Sequence, residues 1–186
     1  MCSSDLREAV IDAVRARFGD AVRFAVQTEQ RGTADAVRAG LAAVRNDVTE
    51  VVITYGDVPC VPAEALAKLS ALRATQRSLL SLITTEVGDP TGYGRIIRDP
   101  RGRPVAIREH KDCTPEERAI RSVNPGLYAV DRAFLALALN SISSDNAQGE
   151  FYLTDLVALA ARASKDGAVR SEEHTSELQS HSDLVC

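Results

Sequence analysis

The sequence has no cluster of cysteines and histidines at metal-ligand spacing. Its four cysteines stand alone at positions 2, 60, 113 and 186. A disulfide framework and a structural zinc site are therefore not expected. No apolar run approaches the roughly twenty residues of a membrane-spanning helix, and no signal-peptide pattern is present. The expectation is a soluble, cytoplasmic chain with no membrane partner. Basic residues are not in excess: Lys and Arg number 22 against 26 Asp and Glu, a formal net charge of −4. That balance gives no electrostatic footprint for nucleic acid. Internal repeats and low-complexity segments are also missing from the central part.

The two ends differ from the rest. The last residues, RSEEHTSELQSHSDLVC, hold two of the three histidines and show no apolar periodicity. The string reads as a one-frame translation of a common short-read sequencing adapter, and MCSSDL fits the reverse complement of the same adapter. Residues 1–6 and 171–186 are accordingly set apart as non-native, the latter as a disordered tail, leaving 7–170 as a partial domain truncated at both ends. Removing Asp5, Glu172, Glu173, Glu177 and Asp183 brings the acidic count to 21 against an unchanged 22 basic residues. The acidity belongs to the ends. About 160 residues remain, enough for one domain with a real core.

Between the ends, helical and strand patterns alternate. REAVIDAVRARFG has helical apolar spacing and a closing Gly19, and VRFAVQ reads as a short strand. TADAVRAGLAAVRN reads as a helix with Thr33 as its N-cap. Val51–Thr54 is an apolar strand of the kind buried on both faces of a sheet. PAEALAKLSALRATQ is a helix with Pro62 near its start. SLLSLITTEV is a further β-branched strand, and residues 94–111 read as a hairpin turning at Asp99-Pro100-Arg101-Gly102. Thr114 with Glu117 makes a capping box for a short helix. SVNPGLYAVD is a strand, DRAFLALALNSI a helix, and YLTDLVALAARAS a last helix opened by Thr154 or Asp155. Such alternation predicts an α/β fold with a mixed, mostly parallel sheet and crossover helices.

In open α/β sheets ligands bind beyond the carboxyl ends of the strands, so chemistry is sought there. In VQTEQRGTADAV, the Gln27 carboxamide offers a donor and an acceptor, and Gly32-Thr33 opens a helix. The plain alternative is a strand end and a cap. After VVIT comes Tyr55-Gly56-Asp57, whose carboxylate suits Mg²⁺ against a phosphate, or equally a turn before the next helix. GDPTGYGR brackets Tyr93 with Gly92 and Gly94, a ligand-facing loop or a tight connection. Glu109 in AIREHKD could accept two sugar hydroxyls or belong to a solvated charge cluster. Asn124 in SVNPG could read a sugar or form a turn.

Taken in order, QTEQRGTADA, YGDVP, DPTGYGRI, EHKD, NPG and NAQGEFYLTD form a series far more specific than any member. The chain resembles, over 7–170, the uridyltransferase domain of bacterial N-acetylglucosamine-1-phosphate uridyltransferases. The resemblance implies a Rossmann-like nucleotide-diphospho-sugar transferase fold, with UTP and N-acetylglucosamine-1-phosphate as substrates and Mg²⁺ as cofactor. It places Gln27, Gly32 and Thr33 at the uracil and Asp57 on the metal, with Tyr55 and Gly56 lining that loop. Gly94, Glu109 and Asn124 would hold the amino sugar, with Tyr152 and Thr154 nearby. Departures accompany the match. Pro125 stands where the family has a small or hydroxyl residue, which removes an N–H. The glycine-rich LAAGxGTRM loop with its lysine, a second asparagine metal ligand and the C-terminal β-helix of the homotrimer are not in the sequence. The chain as written is therefore expected to be inactive, although its parent would be a nucleotidyltransferase. The alternatives are a related nucleotidyltransferase for another base or sugar, and a non-catalytic nucleotide-sugar-binding module.

Overall fold

A computed structural model of the chain describes residues 3–58, 60–163 and 169–173. The elements are α1 (Ser3–Phe18), α2 (Thr33–Leu41), β1 (Glu50–Ile53), α3 (Ala63–Gln76), β2 (Leu80–Glu86), β3 (Gly94–Arg98), β4 (Pro104–Arg108), α4 (Pro115–Arg118), β5 (Ser122–Asn124), β6 (Tyr128–Asp131), α5 (Arg132–Ala138), α6 (Asp155–Ala163) and β7 (Val169–Glu173). The strands form one sheet in the order β1-β6-β2-β5-β3-β4, with β7 pairing β2 off this path.

Side-chain alternation along the central strands divides the interior into two layers. Leu80, Leu82, Tyr128 and Val130 point to a core shared with Leu135, Leu153, Leu156, Val157 and Ala160 of the α5–α6 side. Ile83 and Ala129 point the other way, onto Ala65 and Leu69 of α3. Helices thus cover both faces, the arrangement that an α/β sheet needs to bury apolar strands.

The sheet is mostly antiparallel, which corrects the expectation of a mostly parallel one. β1 and β2 do run in the same direction across α3, as the strand–helix–strand pattern requires. The position between them is taken by β6, antiparallel to both. β2 then pairs antiparallel with β5, and β3 pairs antiparallel with β4 and β5. Only β2 with β7 is a parallel pair among the described residues. Apolar runs report burial on two faces, and burial does not fix the direction of the neighbour.

Four boundaries also move. Residues 22–27 are extended but have no paired strand, because a strand exists only where a partner completes its hydrogen bonds. SVNPGLYAVD divides into β5 and β6, since Pro125 offers no N–H and Gly126 turns the chain at φ 82°. α1 begins at Ser3, inside the segment set apart at the start. β7 carries Ser171–Glu173 into the sheet, three residues past the boundary of the tail, because strand pairing uses backbone groups that any sequence supplies. The remainder of that tail, 174–186, lies outside the described residues.

Candidate functional site

Two loops that are distant in sequence run side by side and carry most of the candidates. The first leads into α2. Gly32 is its N-cap at φ 114° and ψ 174°, a region open only to glycine. A Cβ there would lie 2.6 Å from the Phe151 carbonyl oxygen and 2.7 Å from its nitrogen. Glycine is thus required twice, by conformation and by contact. The second loop, 150–153, uses that closeness. Phe151 N–H donates to Arg31 O at 2.8 Å, and Ala34 N–H donates to Phe151 O at 2.9 Å. Thr33 is the first helical residue rather than the N-cap, and its Oγ1 accepts from Leu153 N–H at 2.9 Å. The hydroxyl that was expected to cap α2 instead ties it to the approach of α6.

Gln27 belongs to the first loop. Its Nε2 donates to Gly32 O and to Asp35 Oδ2, both at 3.1 Å. Asp35 is buried and also accepts from Arg31 and Arg38 through Oδ1, at 3.1 and 2.8 Å. The Gln27 hydrogen bond, then those of the arginines, hold its carboxyl below the usual range against the opposing cost of burial. Arg38 reaches on to Leu139 O at 2.7 Å, and both guanidinium groups lie over the Phe151 ring.

The second group gathers at the start of β3. Gly94 faces Asn124 across the β3–β5 ladder. A Cβ on Gly94 would meet Ile107 Cγ2 at 2.7 Å and the Glu109 carboxylate oxygens at 3.5 and 3.6 Å. The absent side chain lets the Glu109 carboxylate lie over the strand. Glu109 follows β4 directly rather than ending it. Thr154 Oγ1 donates to Glu109 Oε1 at 2.9 Å. Burial first, then the nearby Asp112 and Asp155, push the Glu109 carboxyl up. Tyr152 is buried just before Thr154, and burial raises its phenol too.

Asn124 spends its carboxamide locally. Its Nδ2 donates to the Tyr128 hydroxyl at 2.6 Å, and its Oδ1 accepts from Gly126 N–H at 3.1 Å. The second bond closes a turn around Pro125, a position whose missing N–H costs nothing there. Gly126 packs flat on Tyr55: a Cβ would sit 2.4 Å from that ring. The Tyr55 ring lies 6.5 Å from that of Tyr128, centre to centre, and burial raises its phenol while the nearby Tyr128 and Thr33 ease the rise. Tyr55 therefore joins the two groups. Asp57 and Gly56 follow it on the exposed exit from β1, and Gly56 has open space around it.

The fold thus draws Gln27, Gly32 and Thr33 into one cluster and Gly94, Glu109, Asn124 and Thr154 into another, with Tyr55 between them. Tyr152 precedes Thr154 on the connecting strap. Asp57 stands apart as a lone carboxylate: among the described residues no group of three or more His, Cys, Asp or Glu is placed to hold a metal. Three participants were missed in the sequence. Tyr128 lay hidden in an apolar strand, though its polar tip on a buried run asked for a partner. Phe151 and Asp35 carried no signal. An aspartate in the first turn of a helix is ordinarily explained by the helix dipole alone.

The chain belongs to the nucleotidyl transferase family, whose profile matches residues 5–174. Among characterised relatives it is similar to the bifunctional protein GlmU of Sorangium cellulosum, 48% identical over 162 residues, 87% of this chain and 34% of that protein. The GlmU of Anaeromyxobacter sp. (strain Fw109-5) is 52% identical over 157 residues, 84% of this chain and 32% of that one. The GlmU of Azotobacter vinelandii is 44% identical over 175 residues, 94% and 38% respectively. The chain spans about a third of the length of these relatives.

Proposed function

We propose that this chain is the uridine- and sugar-binding portion of an enzyme that transfers UMP from UTP to N-acetylglucosamine-1-phosphate, with release of pyrophosphate. The supporting observation is the side-by-side placement of the Gln27–Thr33 loop and the Glu109–Thr154 pair, bridged by Thr33 to Leu153. In the reaction a sugar-phosphate oxygen forms a bond to the α-phosphorus of UTP, and the bond to the β-phosphate oxygen breaks. No covalent enzyme intermediate is needed, so positioning and charge neutralisation carry the rate.

Gln27, Gly32 and Thr33 hold the uracil in this reading. Glu109 gives one oxygen to Thr154 and keeps Oε2 for sugar hydroxyls. Tyr55 and Gly94 shape the cleft, Tyr152 backs it, and Asn124 keeps the turn beneath it rigid. Asp57, exposed and beside an open Gly56, fits as one hard oxygen donor to an Mg²⁺ that takes its other oxygens from phosphates and water. When bound, that ion would screen repulsion between the two phosphate groups. A cytoplasmic setting and a homotrimeric parent belong to the same reading.

Calorimetry on the 186-residue chain with Mg²⁺ tests it. UDP-N-acetylglucosamine is expected to bind about tenfold tighter than UDP-glucose, and Glu109→Ala to weaken both. Equal affinity for the two sugars, or preference for dTDP- or GDP-sugars, would move the assignment to another nucleotidyltransferase. Turnover is a separate expectation. The sequence holds no LAAGxGTRM loop, so this chain is expected to release no pyrophosphate from the two substrates. Measured release would mean that other groups hold the triphosphate.

A further inference from the structure

We propose that Asp35 is a positioning residue that sets the base selectivity of the site by fixing which end of the Gln27 carboxamide meets the base. The inference rests on the reading of Gln27 as a uracil contact. A carboxamide presents an acceptor at one end and a donor at the other, and a half-turn of its terminal bond exchanges them. Read by its oxygen, a pyrimidine must carry a proton on N3, as uracil does. Read by its nitrogen, the pyrimidine must offer a bare N3, as cytosine does. An unrestrained glutamine would accept both.

Here the half-turn is blocked. Both hydrogens of Gln27 Nε2 are taken, one by Gly32 O and one by Asp35 Oδ2, each at 3.1 Å. An ionised carboxylate and a backbone carbonyl only accept, so neither tolerates the glutamine oxygen in that place. The oxygen is the group left for a ligand. Asp35 is itself immobile. It is 9% exposed, on the first turn of α2, where the helix dipole favours its charge.

A purely structural role for Asp35, as an ion-pair partner, is weaker. Oδ1 serves both Arg31 and Arg38, while Oδ2 serves Gln27. The arginines hold the carboxylate in orientation, and the second oxygen is kept for the carboxamide. Both guanidinium groups lie over Phe151 and Arg38 also binds Leu139 O, so the orientation is anchored to the loop beside the site.

Two measurements on the 186-residue chain test this. The first uses no nucleotide. The Gln27 side-chain NH2 resonances, identified by their loss in Gln27→Ala, are expected to be protected from hydrogen exchange in the parent chain. They are expected to lose that protection in Asp35→Asn, whose own amine competes for the Gln27 oxygen; equal protection in both overturns the proposal. The second compares UTP with CTP binding. The parent chain is expected to prefer UTP by about tenfold or more, a ratio that falls toward one in Asp35→Asn. Arg38→Gln, which disturbs the same ion pairs but leaves the Gln27–Asp35 bond, should weaken both nucleotides and keep the ratio. If Asp35→Asn keeps the ratio while Gln27→Ala abolishes it, the positioning role fails and the uracil reading stands. If neither variant changes the ratio, the uracil reading falls and the proposal with it.

Discussion

At Gly94 a single methyl group would collide with the interior. Its backbone is ordinary β3 strand, so conformation does not demand glycine there. Contact does: Ile107, 6% exposed, would lie 2.7 Å from the new Cβ. Ile107 has little room to swing, because it belongs to the main core. Gly94→Ala is expected to destabilise by ~1–3 kcal/mol, the usual cost of overpacking. A urea midpoint shifted down at unchanged slope would report it. The same methyl presses toward the Glu109 oxygens, so UDP-N-acetylglucosamine binding should weaken beyond what the loss of stability explains. An unshifted midpoint would mean that Ile107 finds another rotamer and that the crowding is not real. The sequence reading had marked Gly94 as a loop glycine and, through the resemblance, as a contact for the amino sugar, but not as a packing position. The reason for it is the Ile107 side chain on β4, thirteen residues on, whose closeness the hairpin pattern alone did not give.

At the scale of elements, the joint between the start of α2 and the 150–153 strap organises the site. Gly32 is its hinge, since its φ 114° and the Phe151 carbonyl oxygen, 2.6 Å from where a Cβ would stand, both exclude a side chain. Gly32→Ala is expected to cost at least the ~1–3 kcal/mol of a strained backbone residue. Its mark would be local: the Phe151 and Leu153 amides, which now donate to Arg31 O and Thr33 Oγ1, should exchange faster with solvent than the amides of β2. Uniform acceleration across the chain would instead indicate global destabilisation. This joint also shows what was legible beforehand. Helices α2, α3 and α6, strand β2, the β3–β4 hairpin and the Thr114–Glu117 capping box all follow from periodicity, caps and turn residues, which are local properties. The direction of β6 was not legible, because pairing is decided by which strand arrives at a vacant edge. Nor was the Thr33 bond to Leu153, which joins positions 120 apart. The candidate side chains could be picked out by their type, but their juxtaposition is a product of topology.

For the whole molecule, the carboxylates divide into two sets with opposite effects on stability. Asp35 titrates below its ordinary 3.8, chiefly through the Gln27 hydrogen bond, so it stabilises above that pH and loses its contribution as pH falls through the folded value. Glu109 behaves oppositely. Burial raises its carboxyl above the ordinary 4.5, with Asp112 and Asp155 adding repulsion. Between 4.5 and the folded value the native chain binds more protons than the unfolded one, so stability falls as pH rises through that window. Asp155, also raised by burial, adds to the fall. Above the folded value the full penalty of an ionised, half-buried Glu109 is present. Glu109→Gln removes the charge, keeps an oxygen for the Thr154 hydroxyl and changes little in volume. It is expected to raise the melting temperature at pH 7 and leave it unchanged at pH 4, each ~1 kcal/mol of relief reading as ~2–4 °C in a chain of this size. The same variant should bind UDP-N-acetylglucosamine more weakly, because a neutral amide accepts sugar hydroxyls less strongly than a carboxylate. A gain in stability together with a loss of sugar binding would mark Glu109 as a residue kept charged for its ligand at the expense of the fold. A variant less stable than the parent at both pH values would mean that the carboxylate is held by favourable contacts and that its burial is not a burden.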